Sequence, residues 1–390
     1  LSEPIEDLIV QPPDSARIAA IPSTNSYYAY PRLTCLAPIP ETIRPTLETI
    51  WRKAIHRGRD VVAYRFTDVY VAEEGLAFDQ SGKLLAPTRT YHDDEQIRRA
   101  RAAVLAAIGS GSARTLERGI LAKSRGADNY GHFLVEMLPR AWLARTRFGF
   151  PDWPAIIFDE PAPVRDVARA ALQVAGFAPE EIVVTGREPV LVRDLVAIDG
   201  LTSHSTYLSP HVMQCFDTIT AGIAPAPEAD LYATRRPARI REFVEEPAIA
   251  ERLRAMGYRE VEAAALSFED QVATFKGARS VVGCMGAAIT NIVFCRPGTE
   301  VVVFTPSSAG ETFFWMLAQA RRLRYREIRC PEIGPQLWAM PWDRLIDVSP
   351  AELERLLTRS APSEPPADRK PSRLHRGVSA FRAALARVWR

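Results

Sequence analysis

Apolar and polar positions change period several times along the chain, and the changes mark out its elements. Asp60 to Val71, rich in Val, Tyr and Phe, reads as a strand. Asp93 to Ile108 reads as a helix, with acidic residues at its start, apolar positions 97, 104, 105 and 108, and Gly109 just past its end. Gly119–Ala122 is a short apolar run. A helix begins near Asn129 and carries Phe133, Leu134, Met137, Leu138, Trp142 and Leu143 on one broad face. Pro139 should kink or restart it, because proline removes a donor and crowds the carbonyl four residues back. Ala155–Phe158 reads as a strand, Val164–Val174 as a helix stopped by Gly176, and Ile182–Thr185 and Val190–Ile198 as further strands.

A second set follows the Ala/Pro stretch Ala221–Pro227. Its strands are Leu231–Thr234, Tyr258–Glu262, Ser280–Gly283 and Val301–Phe304; its helices are Pro247–Met256, Phe268–Lys276, the short Ala287–Phe294, and Thr312–Ala320. Strands alternating with helices of this length imply largely parallel sheets covered on both faces. The expected fold class is α/β, with two Rossmann-like domains joined near residue 220. The first, 1–220, opens with an extended, proline-rich lead-in of fifty residues, and the second is 221–350. Residues 351–390 form a linker, expected to be disordered over 359–373, and a basic tail. From Arg369 to Arg390 there are seven Lys/Arg and no Asp or Glu, and Val378, Phe381, Leu385 and Val388 recur with helical spacing. Such a helix docks on another domain, rests on an anionic membrane surface, or frays.

Composition narrows the class. The chain has 390 residues, 47% hydrophobic and 25% charged, which is ordinary for a globular protein and too long for one compact core. Lys+Arg is 49 against Asp+Glu 47, so a nucleic-acid binder working by bulk charge is excluded. Cys35, Cys215, Cys284, Cys295 and Cys330 are widely spaced and include no CxxC pair, as expected of reduced thiols in a cytoplasmic protein. No apolar run reaches the ~18–20 residues that span a bilayer. Leu1 to Val10 carries Glu3, Glu6 and Asp7 without a basic stretch and is not expected to be a signal peptide; the chain does not begin with Met.

Three segments carry candidate chemistry. In Asp128–Arg140, Asn129 is a good N-cap, which puts His132 in the first helical turn and Glu136 on the same face. A carboxylate so placed orients an imidazole or raises its basicity. The helix dipole at this end works the other way, keeping the imidazole neutral. A surface His–Glu pair or a satisfied core histidine has the same spacing.

In Tyr232–Arg241, four guanidinium groups, Arg235, Arg236, Arg239 and Arg241, cluster at the carboxyl end of a strand, where open α/β sheets bind ligands. Arginine forks suit phosphate oxygens; a solvated turn paired with Glu242, Glu245 and Glu246 is the plainer alternative. In Val281–Asn291, a strand runs through Gly286 and Ala287 into a helix whose first N–H groups suit an anion. A tight strand–helix turn without a ligand looks the same. His204 and His211, with Asp199 upstream, lack any metal-binding pattern, and there is no Asp-x-Asp, Walker loop, GxGxxG or Gly-x-Ser-x-Gly.

Taken in order, Asn129–Arg140, Arg235–Arg241 with Glu245-Glu246, then Gln271, Gly286–Asn291, Phe294 and Pro297-Gly298 resemble glycosyltransferase family 61 over roughly residues 115–305. The resemblance implies a GT-B fold and an inverting, metal-independent sugar transfer needing no cofactor beyond the nucleotide-sugar itself. It implies that Arg235 and Arg239 bind the donor diphosphate, that Gly286, Ala287, Thr290 and Asn291 form the donor loop, and that His132 or Glu136 is the base. The family commonly has His where Met285 stands and Glu where Val303 stands. The expected activity is transfer from a nucleotide-sugar, UDP-linked by preference, to a glycan or lipid-linked acceptor in bacterial surface polysaccharide synthesis. The protein would work in the cytoplasm, with the inner membrane face as a partner for 369–390. A catalytically degenerate scaffold subunit is the alternative, and another nucleotide-using α/β enzyme is a third.

Overall fold

The computed structural model describes residues 4–159, 162–203, 206–235 and 240–358. His204, Arg236, Arg239, the 359–373 segment and the basic tail lie outside the described residues. The two large sheets, of ten and six strands, belong to one compact unit, Leu1–Asp347; Val348 begins a second, in which Pro350–Thr358 is helical.

The second sheet positions the site. Its strands run in the order Tyr258–Val261, Ala229–Ala233, Ala278–Cys284, Glu300–Pro306, Arg324–Cys330 and Arg32–Cys35. Every neighbouring pair is parallel. Strand order reverses between Ala229–Ala233 and Ala278–Cys284, and the crevice beyond the carboxyl ends at such a reversal is where open α/β sheets take ligands. The four strands expected from apolar runs are present. Two were not expected. Arg324–Cys330 hides its register behind charge: Glu327 and Arg329 are buried and form an ion pair, with the Tyr325 hydroxyl donating to Glu327 at 2.7 Å. Arg32–Cys35 comes from the lead-in and forms the sheet edge.

The lead-in is further tied down far along the chain. Ala29 N–H donates to the Gln319 side chain, 290 residues away, at 2.8 Å. The Trp315 indole donates to the Ala29 carbonyl at 3.0 Å. Trp51 is buried, with the Arg329 guanidinium 5.4 Å from its ring.

The first sheet has ten strands and is mixed rather than parallel throughout. Gly119–Leu121, Ala155–Phe158 and Ile182–Thr185 are parallel, as is the pairing of Gly119–Leu121 with Val190–Asp199. Val61–Ala72, however, runs antiparallel to Val190–Asp199, and a tight turn folds it back on Leu76–Phe78. Glu73 and Gly75 in that turn have positive φ, which lets so short a connection reverse the chain.

Local rules account for the helices. Asp94–Ser110 opens with a capping box between Asp93 and Gln96 and ends at Gly111, at φ 65°, two residues beyond the glycine expected to stop it. The face expected of the Asn129 helix is buried throughout, in a core that also takes Phe268, Phe294 and Trp315 from around the second sheet. All five cysteines are free, and no helix of the described residues is long and apolar enough to cross a membrane.

Candidate active site

Asn129 caps the first helix through its side-chain oxygen, which accepts from Gly131 N–H at 2.8 Å. The helix is α over Tyr130–His132, π over Phe133–Met137 and α again over Leu138–Thr146. Pro139 explains the wide turn. Its ring has no N–H and would press on the carbonyl four residues back, and in the wider turn Leu138 N–H reaches Phe133 O instead. The turn before the proline is widened and the α-helix restarts at Leu138, with Pro139 in its first turn, as the sequence led us to expect.

His132 and Glu136 meet on this turn, with Nδ1 3.1 Å from Oε1. The imidazole side chain is 24% exposed and the carboxylate 1%. Phe313 stacks on the His132 ring at 6.4 Å between centroids. Burial by itself lowers the His132 pKa, but the Glu136 hydrogen bond and charge, with Glu311 and Asp128 adding to them, outweigh it and hold the pKa above the ordinary value. The dipole argument for a neutral imidazole is therefore overridden: a carboxylate in contact acts more strongly than the partial charge of one helix end.

The third segment comes up against the first. After strand Ala278–Cys284, Met285 N–H donates to Phe304 O at 2.9 Å, and Ala287–Phe294 forms a 3₁₀ helix. A side chain at Gly131 would stand 2.7 Å from the Thr290 hydroxyl, so only glycine permits this approach. The Thr290 hydroxyl is buried and has no hydrogen-bond partner among the described residues. Asn291 is fully buried and faces away from the open space. It accepts from the Tyr130 hydroxyl at 2.7 Å and donates to the Gln271 side chain at 3.0 Å and to Ala288 O at 3.2 Å. It is a bracket between the two segments.

Arg235 leaves the end of strand Ala229–Ala233, and its Nη1 donates to Met285 O at 2.8 Å. A Cβ on Gly286 would overlap that nitrogen, so any other residue there would displace the Arg235 guanidinium from Met285 O. Arg235 Nε has no partner among the described residues. Burial, then the neighbouring Arg241 charge, lowers the Arg235 pKa to about 10, which leaves the guanidinium charged at neutral pH. Met285 offers its carbonyl to Arg235 while its side chain is buried, and Val303 is buried in the adjacent strand Glu300–Pro306.

His132, Gly286, Ala287 and Thr290 line one cavity of about 260 Å³, together with Asn129, Gly131 and Arg241. Glu136, Asn291 and Arg235 stand behind its surface, and Arg239 lies outside the described residues. Glu246, the carboxylate proposed as a partner for the arginines, is buried at the start of helix Glu246–Ala255 and accepts from the Tyr232 hydroxyl.

Sequence reasoning missed the remaining wall: Glu311, Phe313 and Phe314, then Trp338, Met340, Trp342 and Asp343. Asp343 pairs with Arg241 at 3.3 Å. Its only signal in the sequence is a pair of tryptophans in a proline-broken stretch that follows no helical or strand period. An imidazole backed by a buried carboxylate can take up a proton, and the Arg241 charge with the close-packed Gly286–Ala287 backbone can receive an anionic group. Among the described residues no three His, Cys, Asp or Glu side chains are grouped to hold a metal ion.

No curated protein matches the chain. The family described as Glycosyltransferase 61 matches over residues 130–302, a span that starts one residue past the Asn129 cap and holds His132–Glu136, Arg235 and Gly286–Asn291. The chain carries a glycosyltransferase 61 domain.

Proposed function

We propose that the protein transfers a sugar from a nucleotide-sugar, UDP-linked by preference, to a glycan or lipid-linked acceptor with inversion at the anomeric carbon. In this reading it works without a metal, on a GT-B-like arrangement, in bacterial surface polysaccharide synthesis at the cytoplasmic side of the membrane. One observation carries the reading: His132, backed by Glu136, opens into the same cavity as Gly286, Ala287, Thr290 and Arg241. His132 would take the acceptor hydroxyl proton as the acceptor oxygen bonds to the anomeric carbon. The bond from that carbon to the diphosphate oxygen breaks, and its electron pair leaves with the diphosphate. Arg241, with Arg235 behind it, would offset that charge.

The alternative, a binding subunit that has lost turnover, draws support from Met285 and Val303. Neither side chain has a polar group where the family commonly has His and Glu. Calorimetry with UDP, GDP, CDP and CMP, first without metal and then with Mg²⁺ or EDTA, separates the readings. Selective binding of one nucleotide that EDTA leaves unchanged is the expected result. Binding of none of the four favours the subunit reading, and binding abolished by EDTA rejects metal independence.

A further inference from the structure

The part of the cavity wall beyond the matched span has its own chemistry. Trp338 and Met340 lie between the paired strands Glu332–Ile333 and Leu345–Ile346, and Trp338 is 71% exposed. An apolar surface of this kind left open at a cavity marks an interaction site. The loop that carries it is braced. Gln336 donates to Trp338 O at 2.7 Å, Asp343 N–H to Met340 O at 2.9 Å, and Met340 N–H to the Asp343 carboxylate at 2.8 Å. Glu311 lines the same space and makes no hydrogen bond or ion pair among the described residues.

We propose that Trp338, Trp342 and Glu311 form the acceptor subsite, and that it takes a pyranose ring laid against an indole with a ring hydroxyl donated to Glu311. This rests on the transferase reading and adds the acceptor's chemical class and its residues. A pyranose has an apolar C–H face and a rim of hydroxyl donors; the indole suits the face and the unpartnered carboxylate suits the rim. A lipid tail in this place would strip water from Glu311 and return no partner, which is unfavourable. The size of the cavity agrees. About 260 Å³ falls just under the ~300–1,000 Å³ usual for a site that encloses one drug-sized ligand. A space of that size suits one ring within reach of the exposed Trp338.

The full chain is titrated with methyl pyranosides of glucose, galactose, mannose, xylose and N-acetylglucosamine by ligand-observed NMR, with and without the nucleotide that binds best. The wild type should bind at least one of them. Trp338→Ala and Glu311→Gln should weaken that binding at least tenfold, while Trp338→Phe keeps it within threefold and all three keep nucleotide affinity within twofold. Trp338 is exposed, so replacing it leaves the fold intact. Glycoside binding unchanged in Trp338→Ala and Glu311→Gln overturns the proposal, as does a wild type that binds no glycoside. Loss of nucleotide affinity in Trp338→Ala also overturns it, by making the indole a wall for the base. Glycoside binding in a protein that binds no nucleotide keeps the subsite and rejects the transferase reading.

Discussion

His132 is held by Glu136 at one ring nitrogen and by Phe313 against its face, and the Glu136 contact bears on its proton. As a base it must be neutral, so turnover should rise with pH through its raised pKa. Glu136→Gln removes the charge that raises it. The acid limb of kcat/KM should then move to lower pH, with a lower plateau because the weaker base takes the proton less readily. His132→Ala should reduce turnover by roughly 10²–10⁴-fold and leave nucleotide affinity unchanged by calorimetry. An acid limb that stays in place in Glu136→Gln would assign that limb to another group. Stability follows the same linkage. Because the folded pKa lies above the unfolded one, the His132–Glu136 pair stabilises fully below the ordinary imidazole value of about 6.5, and that contribution is lost as pH rises through the folded value.

Between elements, Asn291 joins the π-bulged helix to the 3₁₀ helix of the third segment. Asn291→Ala breaks its bonds to Tyr130, Gln271 and Ala288 and leaves the first two side chains without that partner in the core. We expect a loss of about 2–4 kcal/mol in urea unfolding, against about 1 kcal/mol for Tyr130→Phe. In the double variant the losses should fail to add by at least ~0.5 kcal/mol; strict additivity would mean that the two side chains are not coupled.

The same elements mark how far the sequence could be read. Strands such as Val301–Phe304 were legible because every side chain is apolar. Arg324–Cys330 was not, because Glu327 and Arg329 neutralise each other inside the protein and look like surface charge in a one-dimensional string. The direction of Val61–Ala72 was also hidden, since its residue types specify a strand but not its partner. Of the residues lining the candidate cavity, His132, Gly286 and Ala287 could be picked out from residue type and spacing, and Thr290 only through the family resemblance. Asn291 is the same kind of residue turned to a bracing role, which only the packing reveals. The aromatic wall follows no period and gave no such signal.

At the scale of the whole molecule, the second sheet is completed by Arg32–Cys35, with Trp51 beside the buried Arg329. Arg329→Met would leave Glu327 charged and uncompensated in the core. We expect it to cost about 3–5 kcal/mol, measured as a fall in the urea midpoint with unchanged slope. An unchanged midpoint would mean that the Glu327–Arg329 ion pair contributes no net stability.

This closure by an early strand also sets a timetable for biosynthesis. Ala29 leaves the ribosome 290 residues before Gln319, the side chain that binds its N–H. At ~5–20 residues per second, the interval is roughly 15–60 s. Throughout it Arg32–Cys35 has no sheet to join, and the edge it will cover has not been made. The first sheet, whose last strand ends at Asp199, can form on the ribosome. The second cannot close until translation is nearly over, so a nascent chain stalled before Arg324 would hold a folded half and an unpaired strand open to chaperones.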